Sequence, residues 1–435
     1  MNFMEIKEGI WKGIMEYGLD YLRGKLDKHA VRVNLRYKHY DEKYQDRDIE
    51  IVIPKEIKDK YRAVMGWSSK SVDALADRLV FKGFTNDNFN IEEIFNMNNP
   101  DIFFDSAILS ALIGSCCFIY ISKAETGEAR LQIIEASNAT GIIDPITGLL
   151  TEGYAVLSRD EYNNPKSEAY FNPHFTDYYM DGKFAYRIDN PTARVLLVPI
   201  IYRPDAVRPF GRSRISRSAM YYQAYAKRTL ERADISAEFY SFPQKYMIGT
   251  SQDAEPMDKF KATIASILEI TKDEDGDVPK LGQFQQQSMA PFTEQLKTLA
   301  SVFAGETGLT LDDLGFATDN PSSAEAIKAS HETLRTTARK AQRCFGSGFL
   351  NVGYVARCLE DDYPYLRNQF YKTKATWYPV FEPDVITLSG IGDASIKINQ
   401  AIPGFFGKDN LSDLTGFDAS KEPPVIEANN EEWRS

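Results

Sequence analysis

Cysteine and histidine are scarce in this chain, four of each in 435 residues. Cys116 and Cys117 are adjacent, Cys344 and Cys358 stand alone, and no pair has the spacing of a zinc or redox motif. Buried, reduced thiols of a cytosolic protein are expected. His29, His39, His174 and His331 are scattered, so no histidine-rich metal centre is expected. Positive charge is short as well: 62 acids against 51 bases give a formal charge of −11. A protein that grips nucleic acid strongly is normally basic, because phosphate neutralisation drives that binding. Any contact with DNA is therefore expected to be loose or confined to local basic faces. A long apolar run is also missing. The best candidate, residues 106–121, is shorter than the ~20 residues of a membrane span and is divided by Gly114. It reads as a buried helix followed by a core strand. The first segment mixes acids and bases at helical spacing, without the pattern of a secretory leader.

Catalytic motifs are absent on inspection. Gly66-Trp67-Ser68-Ser69-Lys70-Ser71 lacks the second glycine of a phosphate loop, and a serine-capped helix start is the better reading. His331-Glu332-Thr333-Leu334-Arg335 puts an arginine where a zinc-protease helix needs its second histidine. Gly346-Ser347-Gly348 lies in a helical context and lacks the flanks of a nucleophile elbow. Asp312-Asp313 has no third acid nearby, so a solvated loop is favoured over a magnesium site. No cofactor is implied.

Helix periodicity marks residues 1–36, 68–79, 91–99 and 101–113, the last two separated at Asn99-Pro100. Residues 49–53 read as a short extended segment. Between Cys116 and Ile201 the period changes to two, with strands expected at 117–121, 131–134, 155–157, 178–180 and 195–200. Asp144-Pro145-Ile146-Thr147-Gly148 and Met180-Asp181-Gly182-Lys183 are turn signals, the second that of a hairpin. The fold class is α+β, helices first and antiparallel strands after.

The organising stretch is 208–345. A helix over 213–238 carries Ile215, Ala219, Tyr222, Ala226, Ala233 and Ala237 as a stripe of mostly small residues, suited to close helix–helix approach. An excursion follows over 240–288, with strands at 245–248 and 268–271, a helix at 257–267 and an acidic tip at 273–277. A helix returns over 291–304, with Phe292, Leu296, Leu299 and Phe303 on one face. Residues 305–316 read as a loop with exposed leucines. Ser322 and Glu325 fit a capping box at the start of a long helix that runs through Leu359, with a kink expected at Gly346, Gly348 and Gly353. On that helix His331, Arg335, Arg339 and Arg343 recur every four residues, with Lys328 one turn upstream. The stripe suits a solvated face, the acids of a neighbouring subunit, or DNA phosphates. A late strand over 377–388 is expected to edge the first sheet, followed by a short helix over 394–404 and an acidic tail from Asp418.

Taken in order, these residues resemble the portal proteins of tailed bacteriophages, in particular the siphophage type. The resemblance runs from Val72-Asp73-Ala74-Leu75-Ala76-Asp77-Arg78-Leu79 to about Leu388. It rests on Pro209-Phe210-Gly211-Arg212-Ser213, Leu311-Asp312-Asp313-Leu314-Gly315 and, most specifically, Asn320-Pro321-Ser322-Ser323-Ala324-Glu325-Ala326-Ile327. It implies a wing with antiparallel strands over 1–208, a first stem helix over 209–240, an α/β clip over 241–288 and a second stem helix over 289–304. A tunnel loop over 305–321 and a long kinked helix over 322–362 would follow. A wing return strand over 363–390 and a short crown-like end with an acidic tail over 391–435 would complete it.

The resemblance further implies a dodecameric ring at one capsid vertex of a virion, assembled in the host cytoplasm, through which double-stranded DNA passes. Partners would be the terminase large subunit, major capsid and scaffolding proteins and a head-completion or adaptor protein, with no membrane. Leu311, Asp312, Asp313, Leu314, Lys328, Arg335, Arg339 and Arg343 would be candidates for the DNA channel. Asp273, Glu274, Asp275 and Asp277 would be candidates for motor docking. The rival readings are another virion assembly or connector protein and, further off, a DNA-acting enzyme such as a nuclease or NTPase.

Overall fold

The computed structural model describes residues 17–44, 60–241, 245–248, 280–283, 288–316, 330–381, 385–415 and 417. In chain order the elements are α1 (Gly18–Tyr40), α2 (Trp67–Ala76), β1 (Phe81–Thr85), α3 (Ile91–Asn96) and α4 (Pro100–Gly114). Strands β2 (Cys116–Lys123), β3 (Ala129–Glu135), β4 (Ala139–Ile143), β5 (Leu150–Arg159), β6 (Pro165–Phe171), β7 (Phe175–Met180), β8 (Lys183–Asp189) and β9 (Leu197–Ile201) follow. Then come α5 (Arg217–Ser241), β10 (Lys245–Ile248), β11 (Lys280–Gln283), α6 (Ala290–Thr307), α7 (Glu332–Glu360), β12 (Lys374–Trp377), α8 (Val385–Ala401) and α9 (Lys408–Thr415). The chain divides into two compact units, one of residues 1–37, 71–215 and 328–435, the other of 38–70 and 216–327. Among the described residues no helix is long and apolar enough to cross a membrane.

The first unit is α+β, as expected from the change of period. Gly114 does divide the apolar run: α4 ends there, Ser115 turns the chain at φ 90°, and β2 begins at Cys116. Strand β2 is the centre of an antiparallel sheet ordered β3-β2-β9, and β4 to β8 form a five-stranded antiparallel meander. Asp181 (φ 49°) and Gly182 (φ 75°) both take the left-handed conformation, the two-residue hairpin turn that their identity favours. One face of the meander, with Leu150, Ala155, Ala169 and Phe171, packs with Phe118, Ile134 and Leu197 of the smaller sheet. On the other face Tyr154, Val156 and Tyr170 meet Leu22 and Leu26 of α1. That interface holds two buried carboxylates. Glu152 accepts from the backbone N–H of Tyr17 and Gly18 (2.9 and 3.0 Å) at the start of α1 and from the Tyr170 hydroxyl (3.0 Å). Glu168 receives the Arg23 guanidinium in a bidentate pair (3.1 and 2.8 Å) and the Tyr154 hydroxyl. Both acids are used structurally: one stabilises the positive end of α1, the other neutralises its arginine.

Helix α7 is the spine of this unit. It runs unbroken through Gly346, Gly348 and Gly353, where a kink was expected. The glycines serve close approach instead. A Cβ at Gly348 would lie 2.8 Å from Ile200, at Gly353 2.9 Å from Ile91 and at Gly346 2.9 Å from Ala375. Around these contacts an aromatic cluster closes, with Phe104 against Phe349 (4.8 Å) and Phe81 against Phe104 (4.2 Å) and Trp377 (5.0 Å).

Two expectations about element bounds are overturned. The strand expected over 377–388 is instead β12 at Lys374–Trp377, which pairs with β1 in a separate two-stranded ribbon and not with the first sheet. From Val385 the chain is helical. The helix expected from Ser213 begins at Arg217, with Ser216 Oγ accepting from the Ala219 N–H (3.1 Å). Ser213 and Arg214 are engaged with the end of α4: the Ser213 hydroxyl donates to Ile113 O (2.7 Å) and the Arg214 N–H to Leu112 O (2.8 Å). Unsatisfied carbonyls at that helix end are thereby covered.

In the second unit α5 and α6 form an antiparallel pair. Ser216 Oγ donates to Glu306 (2.8 Å) near one end, and Gln295 Nε2 donates to Tyr225 OH (2.8 Å) further along. At the far end β10 and β11 pair antiparallel, Lys245 opposite Gln283, so the two ends of the excursion return together. The strand at 245–248 is as expected, whereas its partner is Lys280–Gln283. Ala219 and Ala226 of the small-residue stripe are buried, and so is Gln223 between them. Its amide accepts from the Ser68 N–H (3.0 Å) and donates to Met65 O (2.6 Å), tying α5 to the start of α2. The stretch 66–71 is thus a helix start and not a phosphate loop. His39 is buried against Tyr44 (4.2 Å), and burial, then the Lys227 charge, hold its imidazole down at about 4. The elements expected at 1–16, 49–53, 257–267, 268–271 and 273–277, the Ser322–Glu325 capping box and the tail from 418 lie outside the described residues.

Replacing Gly353 by leucine is expected to destabilise the protein by about 1–3 kcal/mol through overpacking against Ile91. Gly305→Ala, in α6 with open space around its Cβ position, is expected to stabilise it by roughly 0.5–1 kcal/mol. Denaturant melts of the two variants check this, and a neutral Gly353→Leu would contradict the close approach.

Candidate functional site

Two places carry the residues singled out from the sequence. The first is the turn after α6. Thr307 ends the helix, Gly308 reverses the chain at φ 70°, and Leu309 is buried beneath it. Residues 312–314 then form one turn of 3-10 helix. The Asp313 carboxylate accepts from both the N–H and the hydroxyl of Thr310 (2.9 and 2.8 Å), and Thr310 Oγ1 accepts from the Asp313 N–H (3.2 Å). This reciprocal pair satisfies the local donors, so Asp313 is the clasp of the turn. Leu311 and Leu314 are half-buried rather than exposed, which leaves Asp312 and Gly315 as the outward residues. Among the described residues no group of three or more His, Cys, Asp or Glu side chains gathers as a metal ion would need.

The second place is the basic stripe of α7. Arg335, Arg339 and Arg343 are all exposed, and Lys328 lies outside the described residues. Arg335 pairs with Glu332 of its own helix (3.5 Å). His331 stands at the helix start with its ring 5.8 Å from Phe381, not in a ligand cluster. Arg339 and Arg343 line a cleft of about 770 Å³ between α7 and β12, together with Lys340 and Lys374. Gly346, Ala375 and Trp377 contribute to its lining. Sequence reasoning missed Lys340 and Lys374. The first directly follows Arg339 and could have been added to the stripe; the second is brought there only by the pairing of β12 with β1.

The cysteines supply no reactive thiol. Burial pushes the Cys116 thiol up to about 12 and that of Cys358 to about 11, and it raises Cys117 well above its ordinary value. The buried acids Glu152 and Glu168, also unremarked in the sequence, are occupied as described.

Asp313→Ala is expected to cost about 1–2 kcal/mol by opening the Thr310 clasp, with Asp313→Asn losing less. Magnesium is expected to leave the melting temperature of the wild type unchanged. A magnesium-dependent stabilisation that Asp313→Ala removes would restore the metal reading.

Comparison with known proteins adds a separate line. The chain matches no protein-family model. It is 27% identical over 342 residues to the portal protein of Mycobacterium phage L5, covering 73% of this chain and 69% of that one. It is 25% identical over 343 residues to the portal protein of Mycobacterium phage D29, with the same coverage of each. Among solved structures, a chain of the virion of a native gene transfer agent particle matches at a TM-score of 0.45 with 12% identity, covering 89% of this chain and 100% of that one. A chain from the neck of an empty particle of that kind matches at 0.44, also with 12% identity, covering 84% and 94%. The resemblance read from the sequence is borne out to this extent: over 73% of its length the chain is similar to two phage portal proteins.

Proposed function

We propose that this chain is a portal subunit of a virion, a structural protein without catalytic activity. Copies close into a ring of about a dozen at one capsid vertex, and double-stranded DNA passes along the ring axis during packaging and ejection. The observation that carries this reading is the similarity to two phage portal proteins over 73% of the chain. The order of elements supports it: an antiparallel helix pair, α5 and α6, holds an excursion whose ends are paired as β10 and β11, and a turn then leads towards a long helix.

In this reading α5 and α6 are the stem, 241–288 the clip and 305–321 the tunnel loop, with 1–208 and 363–390 belonging to the wing. The clip, through Asp273, Glu274, Asp275 and Asp277, docks the terminase motor and later the head-completion protein. Capsid and scaffolding proteins surround the ring. Asp312 stands at the DNA-facing rim between the flanking Leu311 and Leu314, and Asp313 holds that rim in shape. Of the basic stripe Lys328, Arg335, Arg339 and Arg343, the first two supply local positive charge for DNA phosphates, and the last two are free to meet either DNA or a neighbouring copy. A chain with net charge −11 repels DNA phosphates overall, which favours passage over adhesion. The energy of packaging comes from the separate motor, so the portal itself needs no nucleotide site.

Electron micrographs of the purified protein are expected to contain closed rings of about a dozen copies with an axial hole wide enough for a duplex. Particles that are only monomers, dimers or shells would overturn the reading. Deleting residues 273–277 is expected to spare the ring and weaken capture of the terminase large subunit. Loss of the ring in that deletion would show that the excursion is not a projecting clip.

A further inference from the structure

The cleft between α7 and β12 presents four cations: Arg339, Lys340, Arg343 and Lys374. All four are exposed, and among the described residues none has a carboxylate within ion-pair distance. Arg339 and Arg343, at i and i+4 on one helix, repel, so this pair does not stabilise the helix of its own copy. Gly346, Ala375 and the half-buried Trp377 line the same cleft. A charged rim with arginines around an apolar floor bearing a tryptophan is the anatomy of a protein–protein contact. Phosphates of a duplex would use the rim but not the floor. The cleft is open to solvent, and its volume, about 770 Å³, leaves room for a few side chains.

We propose that this cleft receives an acid-bearing segment of a second copy of this chain. The inference rests on the ring reading above and gives it one of its contacts. Each chain carries 62 acids against 51 bases, so a neighbouring copy offers the complementary charge that the cleft lacks. A receptor surface on one copy and a different, acidic surface on the next make a head-to-tail contact, the kind that closes a ring. Charge complementarity at such a rim fixes partner and register more than it adds affinity.

The test uses the full chain, co-assembled from nitrogen-14 and nitrogen-15 copies and treated with a carbodiimide. That reagent joins a lysine amine to a carboxylate without a spacer. Cross-linked peptides that join Lys340 or Lys374 to an aspartate or glutamate are expected, with mixed-isotope pairs among them. In parallel, Arg339→Gln combined with Arg343→Gln is expected to raise the concentration for half-assembly by about tenfold or more. Its unfolding midpoint at high dilution is expected to stay unchanged, and Arg339→Lys with Arg343→Lys to restore assembly. Lysines that give only same-isotope pairs, or none, would overturn the proposal. So would cross-links abolished by added duplex DNA while the assembly persists, since that outcome assigns the cleft to DNA. Unchanged assembly of the glutamine variant would overturn it too. A wild-type chain that stays monomeric overturns the ring reading and this one together; an assembly without mixed pairs overturns this one alone.

Discussion

The close approach of α7 to three distant parts of its unit is the constraint on which the rest of that unit depends. Gly346, Gly348 and Gly353 remove the side chains that would otherwise hold β12, β9 and α3 away. One unbroken helix thereby fixes elements drawn from sequence positions near 91, 200 and 375. Because its buried side is committed at three points, the direction of its other side is committed as well. Arg335, Arg339, Lys340 and Arg343 cannot turn inwards. Their exposure is a consequence of packing on the opposite face, as the period of 3.6 residues requires.

Three buried polar groups elsewhere are satisfied by partners distant in sequence. Gln223 meets backbone groups more than 150 residues away in sequence, and Glu152 and Glu168 meet α1 from across a sheet. Such groups are costly to bury unpaired, so they specify which segments come together more than they stabilise the result. They also explain why acids buried in a core need not signal catalysis. Asp313 does the same locally, closing a turn whose neighbour Asp312 is left outward.

Much of this was legible in the sequence because it is local. The division of the apolar run at Gly114, the Asp181-Gly182 hairpin and the excursion between two helices each depend on residues within a few positions of one another. What was hidden depends on long-range pairing. Strand β12 pairs with β1 some 290 residues earlier, so Lys374 joins the arginines of α7 by a route that no periodicity reveals. The alternation of Phe184, Tyr186 and Ile188 in β8 was overlooked, and that strand is exposed along its whole length. The prolines Pro379 and Pro383 punctuated a stretch of valine, isoleucine and leucine that imitates a strand, but the chain beyond them is helical. The glycines of α7 were recognised but read as a kink, because sequence reports a missing side chain and not the neighbour that needs the space. The candidate site was half legible: the arginine stripe could be read from its spacing, the cleft around it could not.

A likeness to portal proteins becomes an account of this protein only if its copies close into a ring. The mass of the purified protein, measured by light scattering over a range of concentrations, tests this most directly. A ring predicts one species at about a dozen times the 49.3 kDa of a single chain, stable to dilution. A species at 49.3 kDa or twice that mass, or a broad distribution of open oligomers, would contradict it.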